Sequence, residues 1–289
     1  MSASVIKPDN AVLWEVIIVR LASWRLVREL LEMCDVALEV VDIRDPISTR
    51  SRKLEALASN KGVPVVVVLN KADLIPLRVS ESWRRYFEEY EGVRAVYISA
   101  RKRLGTRILR KTVKDVVRDK SPLTVGVFGI PKVGKSTLIN TLKGRHSAST
   151  SPYPGTPGYT RKSQLFKIGG NIYMIDTPGL VSPDGKDVES IIRSRPVDKL
   201  DNPVAVALKL INKVLKYNPY AFLQAYGIES RVPGEILAEL ARKRGWVYRK
   251  DGEPILHEAA KAVIRDYLDG KIVFYITPQQ LEGSRSDSA

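Results

Sequence analysis

The chain has 289 residues, 44% of them hydrophobic, one cysteine and a formal net charge of +15. The lone Cys34 excludes an intrachain disulfide, a zinc ribbon and a CxxC motif, and it suits a reducing, cytoplasmic setting. The apolar run "VPVVVVL" is too short to span a bilayer and "MSASVIKPDN" has no apolar signal core, so a soluble chain with no membrane contact is expected, its positive charge pointing instead to a polyanion such as nucleic acid.

Apolar residues at helical spacing (Val12, Ile17, Val19, Leu26, Leu30) predict a helix within 11–34. "DVALEVVDI" (35–43) predicts a buried strand, "STRSRKLEALASN" a helix, and "VPVVVVLN" a second strand whose unbroken apolar run requires cover on both faces. A helix around 80–91, a strand "RAVYISA" (94–100) and a basic helix around 106–119 follow. "PLTVGVFGI" (122–130) is another strand, and a helix opening inside "GIPKVGKST" runs to about Leu142. "SQLFKI" and "NIYMID" flank Gly169–Gly170 as a hairpin. Strands alternating with helices in this way predict an α/β fold around a mostly parallel, six-stranded sheet with helices on both faces. After about Gly185 the pattern turns helical, with segments at 203–217, 219–226, 233–244 and 256–268. The expected division is an α/β unit over 1–195, an all-α unit over 196–278 and a disordered tail over 279–289.

Three short segments carry chemistry. In "GIPKVGKST" the glycines Gly129 and Gly134 permit a tight turn whose N–H groups approach phosphate oxygens, with Lys132, Val133 and Thr137 completing the loop. Lys135 supplies charge to the β- and γ-phosphates and the Ser136 hydroxyl can bind Mg²⁺. "MIDTPG" places Asp176 at a strand end, where a carboxylate holds a water on Mg²⁺, and offers the Gly179 N–H to a γ-phosphate. In "NKAD", Asp73 can accept from guanine N1–H and the 2-amino group, the Lys71 stem can lie over the base, and Asn70 can tie this loop to the phosphate loop. Ser99–Ala100 ends the next strand, where the Ala100 N–H would meet guanine O6. A threonine in "SPYPGTPGYTRKSQ" would close over Mg²⁺ and the γ-phosphate; Thr160, directly before a strand, is favoured over Thr156. Lys135, Thr160 and Gly179 are therefore the candidate catalytic groups, and Ser136, Thr160 and Asp176 the candidate Mg²⁺ holders.

The base-reading motif precedes the phosphate loop, the reverse of the ordinary order. In that order, "NKAD", "SA", "GIPKVGKS", "PGYT" and "DTPG" resemble the circularly permuted GTPases of the YlqF/YawG family. "DVALEVVDIRDPISTRS" is similar to that family's first strand and its "DARDP" segment, and "LAELARKRG…HEAAKAVIRDYLDGKIVFYITP" to its helical domain. The resemblance covers almost the whole chain. It implies GTP/GDP and Mg²⁺ as ligands, GTP hydrolysis, and a switch that binds rRNA and the large ribosomal subunit or its precursor, as a monomer when free. Because the "DTPG" segment runs straight into the helical segments, γ-phosphate contacts at Thr160 and Gly179 are expected to reposition residues 200–278 against RNA.

Three departures qualify it. Leu180 follows Gly179 where a water-orienting glutamine often stands, so intrinsic turnover is expected to be slow and completed by a partner. Lys132 stands where the family has an asparagine linked to K⁺; either its ammonium takes the place of that cation, which puts a K⁺ requirement in question, or it is a solvated loop lysine. His146 and His257 are the histidines present, and neither lies in the "PGHM" segment of bacterial members, so an archaeal or eukaryotic-type relative is closer. Two basic stretches, Arg101 to Lys114 and Arg242 to Lys250 around Trp246 and Tyr248, are either solvated faces or contacts to RNA. An RNA-binding scaffold with weak hydrolysis, and a small-subunit assembly GTPase, remain as alternatives.

Overall fold

The computed structural model describes residues 21–118, 120–143, 164–169, 171–177, 179–180 and 187–281. Among these, β2 (Val36–Asp42), β3 (Val65–Asn70), β4 (Arg94–Tyr97), β5 (Leu123–Phe128), β6 (Gln164–Gly169) and β7 (Ile172–Asp176) form one sheet in the order β4-β3-β2-β5-β7-β6. All neighbours run parallel except the β6–β7 hairpin. A separate parallel pair joins β1 (Leu21–Ala22) to β8 (Gly179–Leu180). Leu21 and Ala22 are therefore strand residues; of the helix expected within 11–34, residues 11–20 lie outside the described residues, and the described part is α1 (Trp24–Glu32), behind the Ser23 cap.

The unbroken apolar strands are explained by their two covers. Val66 and Val68 of β3 face a core with Leu109 and Val113 of α5 (Thr106–Val116) and Leu138, Ile139 and Leu142 of α6 (Lys135–Lys143). Val67 and Leu69 face the opposite way, against Val79 and Trp83 of α4 (Leu77–Arg85) and Phe87 in the π-helical turn Tyr86–Tyr90. Further along that face, α1 and α3 (Arg52–Asn60) pack Leu30, Leu31, Leu54 and Ala58 against Ala37 of β2. The helix expected over 48–60 is broken in two: Pro46 opens the short α2 (Pro46–Thr49), and Ser51 caps α3.

The remaining helices are α7 (Val188–Ser194), α8 (Pro203–Tyr217), α9 (Ala221–Tyr226), α10 (Pro233–Lys243) and α11 (Leu256–Leu268). Ile192, Leu210, Ile211, Val214, Leu237, Val263 and Tyr267 form their common core, which Ile272, Phe274 and Ile276 complete from the chain beyond α11. Among the described residues no helix is long and apolar enough to cross a membrane. The segment after α11 fastens this bundle to the sheet. Ile276 donates its N–H to the Arg44 carbonyl at 2.8 Å, and its own carbonyl accepts from Trp83 Nε1 at 2.8 Å.

Trp83 thus joins the two bodies through a ring that is 1% exposed. Trp83→Ala removes that ring and its hydrogen bond, and is expected to cost about 3–5 kcal/mol of unfolding free energy in denaturant titration. A loss below about 1 kcal/mol would contradict this anchoring role.

Candidate functional site

The carboxyl ends of the parallel strands lie along one edge of the sheet, where open α/β folds take ligands. β2 sits between the two motif-bearing strands, with Asp42 opposite Asn70 of β3 on one side and Glu39 opposite Phe128 of β5 on the other. This pairing brings the inverted motifs together. A cavity of about 1090 Å³ is lined by Asn70, Lys71, Asp73 and Ala100 and also by Lys132, Gly134, Lys135, Ser136 and Thr137. Its far wall comes from the helical body, through Val197, Asp198, Arg265, Leu268 and Lys271 among others. Ser99, Gly129, Val133, Asp176 and Gly179 are not among the lining residues.

Asn70 is buried between the motifs. Its Nδ2 donates to the Val133 carbonyl at 2.9 Å and its Oδ1 accepts from the Ala100 N–H at 3.1 Å. The first bond is the expected tie between loops. The second is a difference: the Ala100 N–H, expected for a base oxygen, already serves Asn70. Ser99 is fully buried and its Oγ accepts from the Lys102 N–H at 3.0 Å, so it shapes the turn. Asp73 stands exposed on the single 3-10 turn Ala72–Leu74.

The phosphate loop is pressed against its neighbours, which is why glycine is needed. At Gly129 (φ 142°) a Cβ would lie 2.4 Å from the Val40 carbonyl oxygen, and at Gly134 (φ 101°) 2.3 Å from Asn70 Nδ2. Lys135 is buried at the start of α6 and donates to the Gly129 and Ile130 carbonyls at 2.8 and 2.9 Å. Burial pushes its ammonium down to about 8, against the pull of Asp176. Ser136 and Thr137 are exposed at the N-terminus of α6, an anion-attracting position. Asp176 is half-buried at the end of β7, and burial raises its carboxyl above the ordinary value while Lys135 and Lys143 oppose that shift. Gly179 pairs with Leu21, and a Cβ there would come within 2.8 Å of the Pro131 ring. Thr156, Thr160 and His146 lie outside the described residues.

Two lysines of the motifs, both lining the cavity, end on groups of other elements. Lys71 and Lys132 both have left-handed backbones, φ 68° and 63°. Lys71 Nζ lies 2.9 Å from Asp42 Oδ2 and donates to the Leu268 carbonyl at the end of α11 at 3.2 Å. Lys132 Nζ donates to the Ile192 and Arg195 carbonyls at the end of α7. It is neither a freely solvated loop lysine nor aimed at open space. Burial pushes both ammonium groups down to about 8.

Beneath them is a charge cluster that sequence reading did not assemble. Asp42 accepts from Arg44 at 3.0 and 2.8 Å and from Arg193 Nη2 at 3.0 Å, besides its pair with Lys71. Burial alone would raise its carboxyl, but Arg44, Lys71 and Arg193 hold it well below the ordinary carboxylate range. Arg193 also binds Glu189 at 2.8 Å, and Glu189 meets Lys213 and the Tyr267 hydroxyl. "DIRDP" marked Asp42 and Arg44, whereas nothing in the helical pattern marked α7, which carries Glu189 and Arg193.

Comparison with known proteins gives this geometry a family. The model for the 50S ribosome-binding GTPase family matches residues 124–238, and that for the elongation factor Tu GTP binding domain matches residues 25–119. The two halves of the site thus each resemble a GTP-binding domain. An uncharacterized GTP-binding protein of Methanocaldococcus jannaschii is 35% identical over 254 residues, covering 87% of this chain and 66% of the relative. Nucleolar GTP-binding protein 2 of Neurospora crassa is 30% identical over 273 residues, covering 92% of this chain and 43% of its own length. The GDP-bound structure of TM YlqF superposes with a TM-score of 0.62 at 23% identity, over 88% of this chain and 100% of that one, and shares the fold. The chain belongs to the circularly permuted GTPases of the YlqF/YawG family, of the archaeal and eukaryotic kind. It spans two thirds or less of the length of the two sequence relatives.

A phosphate bound beside Lys135 favours the charged ammonium, so in a complex its pKa rises above about 8 and binding takes up a proton where the free lysine is neutral. Affinity for GDP is therefore expected to fall several-fold as pH rises from about 7.5 to 9.5. Calorimetry in two buffers of different ionisation heat reads both effects; pH-independent affinity without proton uptake would contradict them.

Proposed function

We propose that this chain binds and hydrolyses GTP as a molecular switch, that it binds rRNA, and that it assists assembly of the large ribosomal subunit. The observation that carries the reading is the single cavity lined both by Asp73 and by Gly134 to Thr137. A base read at one end and phosphates cradled at the other describe one nucleoside triphosphate. Asp73 offers two acceptors for guanine N1–H and its 2-amino group, a donor pair that adenine lacks.

In this reading Lys135 and the N-terminus of α6 bind the β- and γ-phosphates. Among the described residues no cluster of three or more His, Cys, Asp or Glu side chains is arranged as a metal cage. That fits Mg²⁺, which takes few protein ligands and completes its shell with water and phosphate. The exposed Ser136 hydroxyl and the Asp176 carboxylate would hold it, with Thr160 as the third group. Mg²⁺ would neutralise charge on the transferring phosphoryl group. Gly179 would offer its N–H to the γ-phosphate. Leu180 brings no group that orients water, so slow intrinsic turnover stimulated by a partner is part of the proposal. Lys132 takes no K⁺ role here, because its ammonium is held by α7.

The RNA-facing unit is residues 196–278, following a GTPase unit over 1–195; α7, which falls before that boundary, packs Ile192 into the helical core and is counted with the helical body. Support comes from the charge of +15 and from the name of the family model that matches residues 124–238. We place the protein in the cytoplasm as a free monomer; a Neurospora relative is named nucleolar.

Asp73→Asn replaces two acceptors by one acceptor and one donor. It is expected to weaken GTP binding at least about 100-fold and to favour xanthosine triphosphate, whose 2-oxygen accepts. Unchanged GTP preference would sink the base assignment. Co-sedimentation with separated ribosomal subunits tests the partner: large-subunit binding that differs between GDP and a non-hydrolysable GTP analogue supports it, and binding to neither subunit removes it.

A further inference from the structure

The helical body does more than wall the cavity. Helix α7 sends one side chain beneath the two loops that line it. Arg193 is 1% exposed and makes three bonds on three elements. Its Nη1 donates to the Lys132 carbonyl in the phosphate loop at 3.1 Å. Its Nη2 donates to Asp42 Oδ2 at 3.0 Å, the oxygen that also lies 2.9 Å from Lys71 in the base-reading loop. Its Nε donates to Glu189, one turn earlier on its own helix, at 2.8 Å, which fixes the guanidinium plane. One planar cation therefore spans both halves of the nucleotide site, a task that suits a rigid fork and not a point charge.

The site grips α7 in return. Lys132 Nζ, from the same loop residue whose carbonyl Arg193 binds, donates to the Ile192 and Arg195 carbonyls. Cations at a helix C-terminus are favoured by the helix dipole and satisfy carbonyls that lack partners. Lys132 holds a left-handed backbone to do so, a conformation that costs a non-glycine residue free energy and persists where surrounding contacts over-determine it. Lys71, equally left-handed, makes the matching contact to α11 at Leu268. Pro131, next to Lys132, is the ring against which Gly179 packs, and α7 begins at Val188, a short distance along the chain from Gly179.

We propose that Arg193, a residue of the helical body outside every nucleotide-binding motif, is a positioning residue of the nucleotide site. It sets the phosphate loop at Lys132 and, through Asp42 and Lys71, the base-reading loop at one mutual spacing. The spacing between loops then depends on the docking of α7, and nucleotide affinity and α7 docking are two faces of one equilibrium. This inference rests on the reading of the cavity as a guanine-nucleotide site.

The test uses the full chain with Arg193→Gln, Arg193→Lys and Lys213→Met. Lys213 belongs to the same buried cluster, at 2.7 Å from Asp45 and 3.0 Å from Glu189, but touches neither loop. Binding of GDP and GTP is measured by calorimetry, thermal unfolding by circular dichroism, and protection of residues 188–194 by amide exchange with and without GDP. Arg193→Gln is expected to weaken both nucleotides at least tenfold and to abolish GDP-dependent protection of α7. Arg193→Lys, which can reach only part of the acceptor set, is expected to fall between it and the unmodified chain, and it decides the matter alone if the glutamine variant does not fold. Lys213→Met is expected to lower the unfolding temperature while changing affinity less than twofold. Folded Arg193 variants that bind within twofold of the unmodified chain would overturn the inference and leave the nucleotide reading intact. Equal weakening by Lys213→Met would also overturn it, since the effect would then be general loss of structure. An unmodified chain that binds no guanine nucleotide would overturn both.

Discussion

The Asp42 carboxylate is the interaction on which the rest of the structure depends. It ends the strand between the base-reading and phosphate-binding strands, and it is 0% exposed. A carboxylate taken out of water at such a depth is costly unless compensated. Arg44, Lys71 and Arg193 compensate it, and they come from its own turn, the base-reading loop and the helical body. All three converge on the same carboxylate, so the three parts are held to one arrangement. Attraction of this kind is specific more than it is stabilising: a well-packed apolar substitute can match it in energy, but it would not dictate which loops meet.

The permutation acquires a physical meaning from this arrangement. A sheet has no memory of chain order; it needs parallel neighbours in register. β2 pairs with β3 on one side and β5 on the other, so the motifs meet although they are inverted along the chain. What changes is where the chain goes next. After β8 the next described element is α7, and α7 is clamped to the phosphate loop in both directions, by Arg193 on the Lys132 carbonyl and by Lys132 on the α7 carbonyls.

Much of this was legible in the residues themselves. The apolar run Val65 to Leu69 announced a strand covered on both faces, and two separate cores cover it. The glycine spacing of the phosphate loop announced close approach, although only the fold shows that Gly134 is made necessary by Asn70. The helices of the C-terminal body were visible where apolar spacing was regular, as in α8 and α11. Helix α7 was not visible: it is short, and its buried face carries Glu189 and Arg193 beside Ile192, so its periodicity is carried by charges that only a partner across the chain makes tolerable. The destinations of Lys71 and Lys132 were hidden for the same reason. Residue type says that a lysine can lie over a base or meet a phosphate, whereas the helix ends that take these two are far away in sequence.

The central claim is that one guanine nucleotide occupies both inverted motifs at once. A crystal structure of the full chain grown with GDP and Mg²⁺ tests it most directly. The account predicts one nucleotide per chain, its base against Asn70 to Asp73 and its diphosphate on Gly129 to Ser136, with Arg193 still on the Lys132 carbonyl. A nucleotide whose base lay elsewhere while its phosphates filled the loop, or two partial sites filled separately, would contradict it.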